Sequence, residues 1–380
     1  MSSLSTRHYR VLGFLLLALV AASLIRADDA AATAPKIIPY GDLRLRYERD
    51  WDSQTSAGVP RANRDRERAR VRLGLNIDLD PEWSLNVRGR TGDPHSQQSP
   101  HLTFDSSDHT HDDLKAQLDR YFVHYKSGPM MAWVGRNGFP FWQQNELILD
   151  EDVTPTGAAG TYESKQGTGK LTTTVGAFAL PDGMLRLNGH MYGGQIKYSL
   201  PVEKNQLITA VDLYDMQGHN GARYLRNRNG ARDYLIGALK TQWSTLAGGQ
   251  PLAIGVDLIR NFESYSAADV APLPARNTDQ KTGYDVSLQW GQLKKAREWQ
   301  LAYTYARIQT LAVNASYAQD DWVRFGANGQ WDGTDIKGHE FRAAYAITKT
   351  INIVARAFFV KAITSVQDGN RFRVDVNLKF

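Results

Sequence analysis

The sequence contains no cysteine, so it forms neither a disulfide framework nor a thiolate metal site, and thiol-based catalysis is excluded. It also lacks any run of about 18 apolar residues after residue 25, which excludes a helical membrane protein. Its charge is nearly balanced, with 45 Lys and Arg against 40 Asp and Glu, and this gives no indication of nucleic-acid binding. Aromatic residues are plentiful, since 9 Trp, 17 Tyr and 13 Phe occur among 380 residues. This composition excludes low-complexity disorder and indicates a folded chain.

The N-terminus has the features of a secretory signal peptide. Arg7 and Arg10 precede an apolar stretch over residues 11–25, which is short for a membrane-spanning helix and is followed by charged and small residues. We predict cleavage after Ala27 or within Ala30–Ala34, followed by export to the periplasm of a bacterium, with an uncleaved N-terminal anchor as the alternative. The absence of cysteine suits an oxidising compartment, where stray thiols would cross-link.

From Tyr40 onward, apolar and polar residues alternate. Leu43, Leu45 and Tyr47 are separated by charged residues, and this period of two places the two kinds on opposite faces of a β-strand. Comparable segments recur about sixteen times, each about 10 residues long, which is the length that a tilted membrane strand needs. Strands of soluble sheets are usually about 5–6 residues long. The pattern therefore predicts an all-β fold, a transmembrane antiparallel up-and-down β-barrel of about 16 strands, with a soluble sheet protein as the alternative.

The connections between these segments alternate in length. Longer loops separate seven short turns, which are predicted at residues 80–82, 126–129, 166–169, 200–204, 243–250, 291–298 and 348–350. Both chain ends then lie on the side of the short turns, as in barrels of the bacterial outer membrane, whose turns face the periplasm. Trp and Tyr recur near the strand ends, which suits two interfacial girdles. We predict a signal peptide over 1–27, a short N-terminal segment over 28–37 and a single outer-membrane barrel domain over 38–380.

The last predicted strand ends on an aromatic residue. Phe372, Val374, Val376 and Leu378 alternate with charged and polar residues, and Phe380 closes the chain. A terminal Phe on such a strand resembles the signal that the bacterial barrel-assembly machinery recognises. We therefore predict that Phe380 is an assembly signal and that this machinery is a partner.

Four segments resemble a known family. They are similar to the bacterial putative-porin family and, more loosely, to the alginate-export barrels, and they lie at Tyr40–Glu48, Arg66–Gly74, Gly135–Phe141 and Leu147–Ala159. The chain departs from the family pattern at Leu149, where Trp is common, and at Thr156, where Glu is common. The resemblance implies passive passage of small solutes through a water-filled barrel.

Eight arginines fall on the polar faces of the early strands, where they can point into a wide lumen. They form a predicted pore-lining basic wall of Arg44, Arg46, Arg68, Arg70, Arg72, Arg88, Arg90 and Arg120. The alternative is that several of these arginines pair with neighbouring acids. With eight arginines against three or four loop acids, we predict a weak preference for anions.

The loop from Asn137 to Thr156 occupies the place of the third extracellular loop, which in general porins folds into the lumen and sets the pore width. We predict the same here, with the constriction formed by Phe139, Phe141, Trp142, Glu146, Asp150, Glu151 and Asp152. Opposed charges across a narrow aqueous gap would orient dipolar solutes and oppose apolar ones. The alternative is a solvated loop that stays outside the barrel.

The predicted function is an outer-membrane porin that allows passive diffusion of small hydrophilic solutes. Two alternatives remain open: a substrate-selective or export channel for anionic or sugar-acid solutes, and a structural or adhesive barrel. No nucleophile motif adjoins His124, His190, His219 or His339, so neither an enzyme nor a cofactor is predicted. The acids and histidines of residues 105–113 match no specific metal motif, and no metal site is predicted. The expected partners are small hydrophilic solutes or ions, outer-membrane lipid and lipopolysaccharide, with a homotrimer as one option and no nucleic acid.

Overall fold

A computed structural model describes residues 35–183, 186–219, 225, 231–271, 273–322 and 333–380, so the predicted signal peptide lies outside the described residues. The described chain forms one antiparallel sheet of 17 strands that closes on itself where the first strand pairs with the last. The strands of the first half are β1 (Lys36–Gln54), β2 (Arg64–Asp78), β3 (Trp83–Thr91), β4 (Leu102–Ser106), β5 (Ala116–Ser127), β6 (Met130–Arg136), β7 (Thr156–Gln166), β8 (Gly169–Pro181) and β9 (Leu187–Val202). Those of the second half are β10 (Asn205–Gln217), β11 (Tyr234–Ala247), β12 (Gln250–Asn261), β13 (Thr282–Gly291), β14 (Trp299–Ile308), β15 (Ile336–Ala346), β16 (Ile351–Ala362) and β17 (Asp368–Lys379).

Sixteen of these strands run up and down around the barrel, as the alternating pattern predicts. The seven predicted short turns are all found, between β2 and β3, β5 and β6, β7 and β8, β9 and β10, β11 and β12, β13 and β14, and β15 and β16. The helical elements include α1 (Ala267–Val270) and a 3₁₀ turn (Ala275–Asn277). No helix within the described ranges is long and apolar enough to cross a membrane.

The strand β4 is additional to the predicted sixteen. Because β3 pairs with only one half of β2, at Arg72–Asp78, the other half of β2 needs a partner for its backbone groups. The five residues of β4 provide it by pairing with Arg66–Ala69. Residues 92–101, which join β3 to β4, leave the wall at Gly92, whose φ of +108° and close approach to Pro100 disfavour any other residue.

The distribution of apolar and charged side chains between the outside and the inside of the barrel is the inverse of that in a soluble protein. Large apolar side chains lie exposed on the outer wall, as at Leu45, Leu73 and Leu258, which are 49%, 57% and 50% exposed. The interior instead buries charged side chains such as Arg70 and Asp375. An apolar outer wall of this extent needs lipid to cover it, so the soluble alternative is wrong.

Aromatic residues cluster on the outer wall at the end of the short turns. Trp83 packs against Tyr125 and Trp290 against Trp299, with ring centroids 4.8 and 4.9 Å apart. These pairs fit the predicted interfacial girdle. Trp133 of β6 is another aromatic residue that the recurrence of Trp and Tyr assigns to the girdle, but it does not belong there, because its buried ring faces inward and packs on Phe178.

Candidate functional site: the constricted lumen

Loop 3 (residues 137–155, between β6 and β7) folds into the barrel. On one side it reaches the inner face of β9 to β13: the Trp142 N–H donates to Gln195 Oε1 at 2.8 Å, and Asn145 Nδ2 donates to Asp285 Oδ1 at 2.8 Å. On the other side, Asp152 Oδ1 lies 2.8 Å from Arg72 Nη1 of β2. Contacts with both walls place loop 3 across the lumen, so the solvated-loop alternative is wrong.

An aromatic cluster attaches the first part of loop 3 to the inner wall. Phe139 and Phe141 both pack edge-on against Phe178 of β8, at centroid distances of 5.5 and 6.2 Å, and Phe141 also contacts Tyr214 of β10 at 5.0 Å. The following residues of the loop, Leu147–Leu149, are buried as well. The two phenylalanines that the sequence assigned to the constriction therefore anchor the loop by burying apolar surface.

A buried polar latch holds the middle of loop 3. We define it as Lys240, Asp212, Gln195 and the backbone of Trp142. Lys240 Nζ lies 2.6 Å from Asp212 Oδ2 and donates to the Trp142 carbonyl oxygen at 3.2 Å. Gln195 Nε2 donates to the same carbonyl at 2.9 Å, while its Oε1 accepts from the Trp142 N–H. Both backbone polar groups of Trp142 are thereby matched, as buried polar atoms require.

Two further segments enter the lumen and meet each other. Residues 92–101 approach loop 7, which joins β14 to β15 and is described over 309–322 and 333–335. Gln97 Nε2 donates to the Ser316 carbonyl oxygen at 2.8 Å, and Gln98 Nε2 donates to that of Ala315 at 3.0 Å. Loop 7 in turn joins loop 3, because the Asp150 N–H donates to the Tyr317 carbonyl oxygen at 2.8 Å. The constriction is therefore built from three segments, of which the sequence indicated only loop 3.

The eight predicted arginines all lie on the lumen side of β1, β2, β3 and β5. Six more arginines lie on the same wall. Arg64 and Arg66 belong to β2 itself, and the barrel closure adds Arg342, Arg356, Arg371 and Arg373 from β15, β16 and β17. Alternation along the last strands was the signal for these last four, but only the pairing of β17 with β1 brings them beside the others. We call all fourteen the arginine wall.

Carboxylates within the arginine wall neutralise much of its charge. Asp42 accepts from Arg70 at 2.8 Å and from Arg72 at 2.7 Å. Asp375 lies 2.6 Å from Arg46 Nε. Cross-strand pairs of like charge destabilise a sheet, so these acids are what allows so many arginines to lie side by side. Several of the arginines thus pair with neighbouring acids.

Acids from the inward loops reach the same wall. Asp152 of loop 3 contacts Arg72 and, at 3.6 Å, Arg70. Asp321 of loop 7 contacts Arg373 and lies 3.7 Å from Arg46. Sequence reasoning missed Asp321, because it lies in an irregular loop far along the chain from its partners and no periodic pattern marks it.

The remaining loop acids lie close together and affect each other's ionisation. Burial, followed by repulsion from Glu151 and Asp321, raises the pKa of Glu146 to about 8. Burial and the neighbouring Glu146 and Asp152 raise the pKa of Asp150 well above its usual value. Burial opposes ionisation of Asp152 too, but the arginines around it hold its pKa below the usual value. Near neutral pH, Asp152 is therefore charged while Glu146 holds its proton.

Two spaces of unequal size adjoin the inward loops. Between the loop acids and Arg44, Arg46 and Arg373 lies a gap of only about 30 Å³. On the opposite side of loop 3, a cavity of about 220 Å³ opens against the inner face of β11–β16. Amide and hydroxyl side chains dominate its polar lining, with Gln144, Asn145, Gln242, Ser287, Gln289, Thr304 and Gln319. The wider space thus lies beside the amides, which sequence reasoning did not single out.

Three acids of residues 105–113, Asp105, Asp108 and Asp112, make local hydrogen bonds. Asp108 accepts from the hydroxyls of Ser106 and Thr110, at 2.5 and 2.6 Å, and lies 3.7 Å from Arg64. Across the part of the chain that the structure describes, no three His, Asp or Glu side chains are grouped so that they could hold a metal ion.

A closed barrel of sixteen antiparallel strands, with an apolar outer wall and a charged lumen narrowed by an inward third loop, defines the porin class of outer-membrane channels. The chain belongs to the Putative porin family, whose model matches residues 56–233 and 231–380. Its family and fold are those of channels, and its location is the outer membrane. The sequence matches no curated protein.

Several solved structures share the fold at low sequence identity. Pseudomonas putida OprB at high pH has 13% identity and a TM-score of 0.58 over 90% of this chain and 94% of that one. Salmonella typhi OmpF in complex with daunomycin has 14% identity and a TM-score of 0.51 over 91% and 98%. The trimer form of Vibrio cholerae OmpT has 9% identity and a TM-score of 0.51 over 92% and 100%.

Proposed function

We propose that small hydrophilic solutes and ions diffuse passively through the space beside loop 3, with a weak preference for anions at neutral pH. The polar cavity of about 220 Å³ between loop 3 and β11–β16 carries this proposal. The opposite gap, at about 30 Å³, has room for only about one or two water molecules. A continuous arginine-lined path for an acidic polymer is therefore not supported, because the loop acids fill the space in front of the arginine wall.

The charge balance of the lumen supports the anion preference. Within the arginine wall, four arginines have no carboxylate within 4.0 Å among the described residues, and they are Arg44, Arg90, Arg120 and Arg342. Of the carboxylates that line the narrow gap, four have no cation within that distance in the described ranges, and they are Glu146, Asp150, Glu151 and Asp320. Because Glu146 holds its proton at neutral pH, at most three uncompensated negative charges oppose four positive ones. Such an excess favours anions.

Single-channel recording in a planar bilayer tests this proposal. Purified, refolded protein is expected to give stable open steps in KCl, with a reversal potential in a salt gradient that indicates a small excess of chloride permeability. A correctly folded barrel without conductance would contradict the porin proposal and favour the structural or adhesive alternative. A cation preference at pH 7 would contradict the charge argument alone.

The anion preference is expected to weaken as the pH rises from 7 to 9. Glu146 is protonated below its pKa of about 8 and becomes negative above it, which adds a charge of the sign that repels anions. In E146Q the reversal potential should stay constant across this range, because glutamine cannot ionise. Equal shifts in the wild type and in E146Q would show that another group titrates.

Three further partners belong to this proposal. The Phe380 backbone pairs with Gly41 through two hydrogen bonds of 3.1 Å while its ring stays 62% exposed. An exposed ring at the strand end is available to the assembly machinery, which supports its role as an assembly signal. Outer-membrane lipid, including lipopolysaccharide, would cover the apolar outer wall. The trimer form of Vibrio cholerae OmpT, which shares the fold, supports the proposal of a homotrimer.

A further inference from the structure

We infer that the cavity beside loop 3, the amide cavity, is a binding subsite for uncharged, hydroxyl-rich solutes of the size of one monosaccharide. The inference rests on the proposed function, since a solute reaches this cavity only through an open lumen. Its volume of about 220 Å³ lies below the 300–1,000 Å³ of sites for drug-sized ligands, which suits a single ring.

Primary amides converge on the amide cavity from separate parts of the fold. Gln144 and Asn145 come from loop 3, Gln319 from loop 7, Gln242 from β11 and Gln289 from β13. Each primary amide offers two N–H donors and one carbonyl acceptor. A hydroxyl group both donates and accepts, so neighbouring hydroxyls on one ring match a surface of amides better than a carboxylate or an ammonium group does.

Several of these polar groups lack a partner within the described protein. Gln144 Oε1 and Gln319 Nε2 are buried without a hydrogen bond, and so are the Nε atoms of Arg342 and Arg356. The set contains one acceptor and three donors at the edge of one cavity. Because these atoms have almost no accessible surface, a solute in the amide cavity does not reach them directly. The inference rests instead on the amides that line the cavity, above all Gln242 and Gln289.

The charges around the amide cavity cancel. Arg356 lies 3.4 Å from Glu340 and 3.9 Å from Asp321, and Arg342 lines the same wall. Two arginines thus face two carboxylates, and Glu146 adds no charge at neutral pH. A charged solute would find no net attraction here, whereas a neutral solute loses no ionic hydration on entry. Of the four arginines without a carboxylate partner, only Arg342 lines the amide cavity, whereas Arg44, Arg90 and Arg120 lie outside it and act on solutes elsewhere in the lumen.

An apolar patch completes the site. Trp322 is only 3% exposed and is held by Phe358 at a centroid distance of 6.2 Å. It lines the amide cavity together with Leu147 and Ala302. Sugar rings have an apolar C–H face and a hydroxylated edge, so one side of the ring can lie on such a patch while its edge meets the amides.

Block of the ion current by solutes tests this inference in the refolded full-length chain. D-glucose is expected to reduce the open-channel current in KCl along a saturating curve and to add current noise. Triethylene glycol, which has a similar mass but few hydroxyls, should act only through viscosity. In the double variant Q242L/Q289L, half-block should require at least about tenfold more glucose, because two amides with no hydrogen bond to the described protein are lost.

The control variant is Q206L, which removes a lumen amide near the short turn after β9, outside the amide cavity. Its glucose block should match that of the wild type. The inference is overturned if glucose reduces the current no more steeply than triethylene glycol does, or if the block by glucose is unchanged in Q242L/Q289L. In either case the channel itself would still conduct. Stronger block by glucuronate than by glucose overturns the assignment to uncharged solutes. Absence of any conductance would instead be a failure of the proposed function.

Discussion

The substitution K240M is expected to release loop 3 from the inner wall, raising the single-channel conductance and adding current noise. Lys240 is fully buried, and its Nζ joins Asp212 to the backbone of Trp142. Removing one partner of a buried ion pair costs about 3–5 kcal/mol, because the other charge remains buried without compensation. That cost should appear first as detachment of loop 3, since the strand ladder of β11 does not depend on this side chain.

Two variants make the test specific. Lys197 also faces the lumen, from β9, and forms no ion pair with loop 3, so K197M should leave the conductance unchanged. Adding D212N to K240M removes the uncompensated charge and should restore part of the wild-type behaviour. If K240M keeps the conductance and the urea resistance of the wild type, the polar latch does not hold loop 3 in place.

The second large effect is expected from D321N. Asp321 is the carboxylate that loop 7 presents to Arg46, Arg356 and Arg373. Its loss should lower the free energy of unfolding by about 2–3 kcal/mol, less than for a fully buried pair because its side chain keeps 20% exposure. The lumen also loses one negative charge, so the reversal potential should move toward anions.

Asp320 provides a matched control for this prediction. It is the neighbouring carboxylate, lines the same narrow gap, and has no cation within 4.0 Å among the described residues. D320N should shift the reversal potential in the same direction, because the charge change is the same, but it should leave thermal unfolding in detergent nearly unchanged. Equal destabilisation by both variants would show that the contacts of Asp321 with the arginine wall contribute nothing beyond charge.

The barrel could be predicted from the sequence because its principal signal is local. Alternation such as that of Leu43, Leu45 and Tyr47 requires no knowledge of partners, since a strand with one face in lipid and one in water must have a period of two. β4 was not predicted, because the signal for it is not local. Its five residues are too few to show a period, and they form a strand only because β3 leaves half of β2 unpaired.

The site could be predicted only in part. The arginines were assigned to the lumen because alternation determines the face on which each one lies. The residues that contact loop 3 could not be predicted, because Gln195, Lys240 and Asp285 lie 53 to 140 residues away from the loop residues that they contact. Nothing in the residues near Gln195 marks it as the group that pairs with both backbone polar groups of Trp142.

By itself, the sequence determined the number of barrel strands, the positions of the short turns, the face of each arginine and the membrane as the surroundings. These follow from hydrophobic period and turn chemistry, which act between residues close along the chain. Only the tertiary structure decided that three segments fill the lumen, that loop acids reach the arginine wall, and that the wider space lies beside amides. Those outcomes depend on closure of β17 onto β1 and on hydrogen bonds between irregular loops, for which a single sequence carries no periodic signal.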